Sequence, residues 1–472
     1  MAIDNSSVRY GEEIAHIEPL GIEHVPESER HGKVWSVFAL WWGANVELAT
    51  ITTGVAAVSL FGLSFWEAAI GLIIGNVIGA FVIGLVSTYG PRLGVPQMVH
   101  SRGPFGFFGN FLPGILNLIA GALWFAVNTV LGSFAFTALF HVNFLLALII
   151  MAIIQVVIAV FGYNMIHAVE RWMVGLLTVV FIGVSIFAFA HAHYSLPFNT
   201  HSLGKYTGIT GGIIEAVGLA WSYLLGWTAF GSDYTRYLSR TTRPAHVFGN
   251  VAASSFISCL WLELVGVALA TIFPVAASGS NPMALLAGIH PQWLVDLTLF
   301  AVMLGTITAN VLNIYSASLS TLVINVPVKR WLAALAVGTV GAIIAYIGHK
   351  TYYVDFENFL FLLAYWLAPW AAVVLVDYFL INKGEYPESI FYNARRIIGR
   401  GFWAWVIAII VSIPFFNQSL YVGPIPSRWG HIGDISYFVS FVVAGFLYWL
   451  IGRRQTVVSS ESGPSTAESG SL

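Results

Sequence analysis

Trp124 and Asn128 stand four residues apart in an apolar stretch, which puts an indole and a carboxamide on one helical face. An indole offers a flat surface for stacking a planar ring, worth about 1–3 kcal/mol per base in other base-binding proteins. A carboxamide offers a donor and an acceptor together, which suits the polar edge of a flat heterocycle. The competing reading is an interfacial tryptophan plus an asparagine bonded to a neighbouring helix. The mid-span position of Trp124 weighs against an interfacial belt. Asn310 and Asn313, three residues apart, again share a face, and two carboxamides in an apolar helix are costly unless bonded. They meet a ligand, tie helices together, or satisfy backbone freed by a broken helix.

Two further runs combine aromatic rings with glycine. Trp42 and Asn45 flank a predicted break near Gly43, where contact with a ligand and plain packing are equally good readings. In Leu225-Gly226-Trp227-Thr228, Gly226 lets a helix unwind and expose backbone polar groups, and Trp227 offers a second stacking ring. Four acids fall in or beside apolar stretches: Glu47, Glu215, Glu263 and Asp377. A charged acid at a bilayer centre costs around 2.5–3.5 kcal/mol on insertion scales, so each must be neutral, paired or wet. Glu215 and Asp377 lie at span ends and are expected to reach an interface. Glu47 and Glu263 lie deeper; either could carry a transported proton, though a structural hydrogen bond is the commoner role. A sodium ion would instead want oxygens that do not titrate, such as carbonyls around Gly43 and the hydroxyl of Thr306 or Thr308.

The elements that hold these residues follow from composition. Of 472 residues, 58% are hydrophobic and 9% charged, with mean hydropathy +0.80. Soluble domains carry about 25% charged residues, so an ordinary cytosolic protein is excluded. Twenty basic against 22 acidic residues leave no basic field for a nucleic acid. Cys259 is the sole cysteine, so no internal disulfide or cysteine-rich metal cluster forms. The 13 histidines show no metal-ligand spacing, and His191 and His193 sit near a water boundary. No phosphate-binding glycine loop with Lys-Ser/Thr occurs, which argues against an ATP-driven pump.

A bilayer core of about 30 Å needs roughly 20 apolar residues per helix. Twelve stretches satisfy that measure, near 35–60, 65–88, 107–136, 143–162, 168–191, 210–232, 246–274, 293–323, 331–348, 358–382, 402–416 and 435–452. Residues 1–33 form a polar tail without the apolar core of a signal peptide, and 453–472 form a Ser/Gly/Glu-rich tail expected to be disordered. With the N-terminus inside, 17 basic residues fall in cytoplasmic segments and only Lys205, Lys350 and Arg428 outside. That asymmetry favours an even number of spans, with both termini cytoplasmic.

Many secondary transporters contain two inverted halves that hold ligand at the midplane between broken helices. Here Gly43 and Gly226 are 183 residues apart, and Asn128 and Asn313 are 185 apart. Glycines are frequent in membrane helices, but asparagines are costly there, so the near-equal offsets favour two five-span repeats, 34–192 and 210–382. Residues 402–452 add two more spans.

Several motifs together resemble the nucleobase–cation symporter family one, in its purine–cytosine permease branch. They are Trp42-Gly43-Ala44-Asn45, Ser101-Arg102-Gly103-Pro104-Phe105-Gly106, Ser232-Asp233-Tyr234-Thr235-Arg236-Tyr237, Asn313-Ile314-Tyr315-Ser316, and Pro369 through Asp377-Tyr378. The resemblance spans about residues 20–450. It implies an all-α membrane protein of twelve helices with the LeuT-type inverted repeat, importing nucleobases or related heterocycles with a proton or sodium. It also implies a stacking Trp and a polar residue at Trp124 and Asn128, and a substrate-contacting Asn in the run Asn310 to Asn313. Many relatives carry Pro before that second Asn where this chain has Leu312, which leaves open whether Asn310 or Asn313 faces the ligand. Counting back from Asp233-Tyr234-Thr235-Arg236, the second stacking ring falls nearer Leu224, beside Tyr223, than at Trp227.

An integral-membrane enzyme would gather acids, His or Cys at one depth, whereas the mid-span polar residues here are mostly amides, which bind but do not attack. A channel would show a repeated filter or charged rings. An enzyme and a channel are therefore disfavoured. Symport of allantoin, uracil, a hydantoin or an amino acid on the same fold is the runner-up. Paired Trp and Asn suit a flat uncharged ring better than an amino acid's carboxylate and ammonium.

Overall fold

The structure is a computed structural model describing residues 11, 13–197, 199, 208–278, 281–350 and 352–452. Arg9, Lys205, Arg453, Arg454 and the tail 453–472 lie outside the described residues. Thirteen main helices follow in order: α1 Val34–Asn45, α2 Leu48–Ser59, α3 Phe65–Ser87, α4 Phe111–Phe140, α5 Phe144–Phe161, α6 Tyr163–His191 and α7 Ile209–Thr228. Then come α8 Pro244–Ile272, α9 Gln292–Val323, α10 Arg330–Gly348, α11 Tyr352–Leu375, α12 Arg400–Ser412 and α13 Ser436–Ile451. Among the described residues, nine helical segments are long and apolar enough to cross a membrane. The remaining expected spans, 35–60, 402–416 and 435–452, are made of shorter helices: α1 with α2, then α12 and α13. The chain is an integral multi-pass membrane protein.

Helix α3 shows how sequence sets packing. Ser64 and Glu67 close a capping box at its start, with Ser64 N donating to Glu67 Oε2 at 2.9 Å. Gly71, Gly75 and Gly79 recur every fourth residue and form a smooth face against α7. A Cβ on Gly71 would lie 2.7 Å from Ala216 Cβ, and one on Gly79 would lie 2.6 Å from Leu224 Cβ. The other face of α3 turns Ile70, Ile73, Ile74, Val77 and Phe81 outward. Such an apolar stripe belongs against lipid rather than water. Helices α4 and α9 also approach closely, with Gly121 against Ala317.

The expected breaks lie slightly beyond the glycines. Gly43 stays helical within α1, and the interruption falls at Val46 and Glu47, both outside helical geometry. Gly226 sits in the last turn of α7, which ends at Thr228 before a run of turns from Ala229 to Tyr237. Each glycine thus precedes its helix end by two residues rather than forming the break, because both are filled by close neighbours. A Cβ on Gly226 would lie 3.0 Å from Trp124 Nε1, and one on Gly43 would collide with Glu170 Oε2. The two C-cap residues, Val46 and Ala229, remain 183 residues apart.

Two of the short sequence motifs prove to be joints. Gln97 N donates to Asp233 Oδ1 at 2.8 Å and Ser232 N donates to Gln97 Oε1 at 3.1 Å, pinning the segment after α7 to the short helix Gln97–His100. Arg102 donates to the carbonyls of Phe391 and Val323. The polar tail does not hang free over residues 18–33. Glu18, Leu20 and Val25 are buried against the bundle, and Glu18 accepts from Arg236 Nη2 at 3.0 Å and from Tyr315 OH at 2.9 Å.

Glu215 and Asp377 do not reach an open interface as their span-end positions predict. Both are buried and held by donors from other elements. Glu215 accepts from Asn417 Nδ2 at 2.9 Å and Asp434 N at 2.7 Å. Asp377 lies in a π-helical turn, Val376–Ile381, and accepts from Asn382, Tyr386 and Tyr448.

Candidate substrate site

Trp124 on α4 and Trp227 on α7 present their rings to each other, parallel within 10° and with centroids 6.4 Å apart. That separation suits an offset-stacked pair. Trp41 meets the edge of Trp227 at 5.6 Å, and Tyr223 and Phe359 meet Trp124 edgewise at 5.4 and 5.2 Å. The close approach of Trp124 to α7 depends on Gly226, where any side chain would fall against the indole nitrogen.

Asn128, one turn beyond Trp124, is wholly buried, and neither its Oδ1 nor its Nδ2 has a hydrogen-bond partner. Buried polar groups are bonded in nearly all cases, and leaving one unmade costs about 1–3 kcal/mol. An amide so placed is open to a ligand. Asn313 donates to Asn310 Oδ1 at 3.3 Å and keeps its own Oδ1 unpartnered. Asn310 is fully engaged, donating to Phe125 O, Thr129 Oγ1 and Gln155 Oε1 at 2.9–3.0 Å. Of the two asparagines, Asn313 is the one with capacity to spare.

Trp227, rather than Leu224, is the residue whose side chain lies parallel to Trp124. Leu224 packs on Gly79 of α3, whereas Asn45 Oδ1 accepts from Trp227 Nε1 at 2.9 Å and orients its ring. Asn45 in turn donates to Trp41 O at 2.7 Å. Trp42 does not join this group. It is half-buried, donates to Thr178 Oγ1 at 2.8 Å and stacks on Phe38. Adjacent helical residues diverge by about 100°, so Trp41 takes the inner position. The signal was available: Asn45 lies four residues from Trp41 and shares its face, not that of Trp42.

Of the two threonines, Thr308 lies against the carbonyl of Gly43 and Thr306 does not. Thr308 Oγ1 donates to Gly43 O at 3.2 Å and to Gly305 O at 2.7 Å. Gly305 also faces the break, where its Cβ would lie 3.2 Å from Val46 O. Thr306 turns the other way, donating to Met303 O and facing Gly132 on α4, because two helical steps rotate it about 200°. Glu47 Oε1 accepts from Tyr223 OH at 3.1 Å, which ties the break to the aromatic group. Glu263 accepts from Asn76 Nδ2 and lies against α2 and α3, apart from the threonine cluster. Among the described residues, no three His, Cys, Asp or Glu side chains converge on a metal-sized site.

Residues 24–440 match the family model described as permease for cytosine/purines, uracil, thiamine and allantoin. YxlA of Bacillus subtilis (strain 168), whose name provisionally assigns it to the purine-cytosine permeases, is 30% identical over 92% of this chain and 96% of its own length. The purine-cytosine permease fcyB of Emericella nidulans is 27% identical over 92% of this chain and 88% of its own. Among solved structures, Mhp1 superposes with a TM-score of 0.74 at 17% identity, covering 92% of this chain and 94% of that one. Mhp1 is a nucleobase-cation-symport-1 family transporter, captured closed with bromovinylhydantoin bound. MhsT in complex with L-phenylalanine superposes at 0.59 with 14% identity, covering 89% and 99%. These likenesses at low identity establish a shared fold.

Proposed function

This chain belongs to the family of permeases for cytosine/purines, uracil, thiamine and allantoin, and from that premise we propose that it carries cytosine or a purine into the cell. It does so as a secondary transporter, with a proton or sodium ion and by alternating access. It is a transporter and not an enzyme. The observation that carries the substrate reading is Asn128, buried one turn from Trp124 with both carboxamide atoms unpartnered. In this reading the base stacks on Trp124 and Trp227, and its polar edge meets Asn128 and Asn313. Trp41 and Asn45 support the second ring, and Asn310 fixes Asn313.

Twelve spans arranged as two inverted five-helix repeats, 34–192 and 210–382, with two additional helices, complete the architecture we propose. The equal offset between the interruptions after α1 and α7 supports it. A plasma-membrane location with both termini cytoplasmic is supported by the 17-to-3 distribution of basic residues.

The test is uptake of labelled cytosine, hypoxanthine, uracil and allantoin in cells lacking their own carriers, across pH and with sodium removed. Concentrative uptake of cytosine or hypoxanthine is expected, above that of uracil and allantoin. Uptake confined to allantoin or uracil would overturn the substrate assignment. Downhill exchange without response to either ion gradient would overturn coupling.

A further inference from the structure

The buried acids of the bundle differ in how they are satisfied. Glu18, Glu47, Glu215, Glu263, Asp233, Asp377 and Asp434 each accept at least one hydrogen bond. Glu170 on α6 is 1% exposed, and neither of its carboxyl oxygens has a partner. It belongs to none of the three ion pairs among the described residues. Its carboxyl presses on Gly43 of α1, where a Cβ would collide with Oε2, and Val174 Cγ2 closes the same gap at 3.3 Å. Gly43 is the residue whose carbonyl accepts from Thr308, and it stands two positions before Asn45, which holds Trp227.

We propose that Glu170 is the carrier of a co-transported proton, its carboxyl switching between acid and carboxylate as α1 and α6 close and part. The proposal rests on the reading of this chain as a cation-coupled permease. An isolated carboxylate in this sealed position lacks the donors that would stabilise charge, so the closed form holds the neutral acid. Water admitted between α1 and α6 solvates the carboxylate and takes up the proton; a proton from the opposite aqueous face restores the acid. One O–H bond breaks and one forms per cycle, with no other reactant. The exit is short. Glu170 lies seven residues, about 10 Å, into α6. Its neighbours Arg171 and Trp172 are exposed, Trp172 by 81%, which marks the height of the interface on the side with excess basic residues.

The groups around Glu170 leave it free to respond. Helices α1 and α5 carry no titratable side chain. Glu47 at the break and Tyr234 after α7 interact with Glu170 electrostatically. On α6 itself, His167 is buried one turn away and Arg171 points outward. Tyr315 of α9 is bound to Glu18, Asp296 of α9 is exposed near the opposite end, and on α8 Glu263 is bonded to Asn76 while Cys259 is buried and His246 exposed.

The test uses the full chain in proteoliposomes, with labelled cytosine as probe, sodium absent and an inward proton gradient imposed. With one proton per base, each pH unit supports about tenfold accumulation, equivalent to ~1.4 kcal/mol. Wild type should approach that ratio, and Glu170→Gln should fall to equilibration while keeping cytosine exchange. Glu170→Asp, which retains a carboxyl, should recover part of the accumulation and controls for misfolding. Infrared difference spectra between acid and alkaline pH, without substrate, should show a carboxylic-acid C=O band that Glu170→Gln abolishes and Glu170→Asp shifts. Unchanged accumulation in Glu170→Gln, accumulation by wild type under sodium alone, or a band unaffected by the substitution would each overturn the proposal. Failure of wild type to exchange cytosine would defeat the substrate reading, while the infrared comparison still judges Glu170.

Discussion

Asn128 and Glu18 are both enclosed polar side chains, one on α4 beside the paired indoles and one in the strap ahead of α1. Asn128 has no partner for either of its polar atoms. Glu18 accepts from Arg236, Tyr237 and Tyr315 on one oxygen and from Tyr163 N on the other, with Arg330 Nε at 3.8 Å. The contrast separates two uses of buried polarity. Where the protein completes its own hydrogen bonds, the group ties elements together; at Asn128, where it leaves them open, the proposed partner is the substrate. Asn310 and Asn313 repeat the contrast within one turn of α9, the first saturated and the second half free.

The comparison breaks most visibly at the strap. Glu18→Ala leaves Arg236 buried without its carboxylate, a loss of about 3–5 kcal/mol expected from unpaired buried charges. Thermal unfolding of the purified variant should show a large drop in midpoint, with cytosine affinity little changed in the fraction that stays folded. Trp124→Ala should act the other way, losing about 1–3 kcal/mol of binding, up to some 150-fold in affinity, with little change in stability. Trp124→Phe should be milder because a flat face survives. Competition against one labelled base, at matched surface expression, reads both.

The two asparagines sharpen the distinction. Asn313→Ala should weaken binding by about 1–3 kcal/mol and reorder cytosine, adenine and hypoxanthine, whose edges differ in donor and acceptor order. Asn310→Ala should instead lower the unfolding midpoint, since it removes the bonds that tie α9 to Phe125 O, Thr129 and Gln155. The smallest effect belongs to Trp42→Phe. It forfeits one hydrogen bond to Thr178, about 0.5–1.5 kcal/mol of stability, and should leave the ranking of bases intact.

Much of this arrangement is legible in the sequence. The apolar runs located α3 to α10 within a few residues, because lipid demands long uninterrupted stretches and tolerates little else. That Trp124 and Asn128 share one helix face followed from their four-residue spacing. What spacing settled less readily was rotation near the interruptions. Trp41 and Trp42 are neighbours in sequence; the four-residue spacing from Trp41 to Asn45 pointed to the first, and its full burial and contact with Trp227 make it the inward ring. Thr306 and Thr308 posed the same problem on α9. The breaks fell beyond Gly43 and Gly226 because those glycines serve close approach, to Glu170 and Trp124, rather than unwinding. Glu170 escaped notice because the expected span began at 168, which placed it at an edge instead of against α1.

The central claim is that a nucleobase lies between Trp124 and Trp227 with Asn128 and Asn313 on its edge. A structure of the protein with cytosine bound tests it most directly. The base should lie parallel to both indoles, with the carboxamides of Asn128 and Asn313 within hydrogen-bonding distance of its polar atoms. Cytosine seated elsewhere, or a complex in which Asn128 still has no partner, would contradict it.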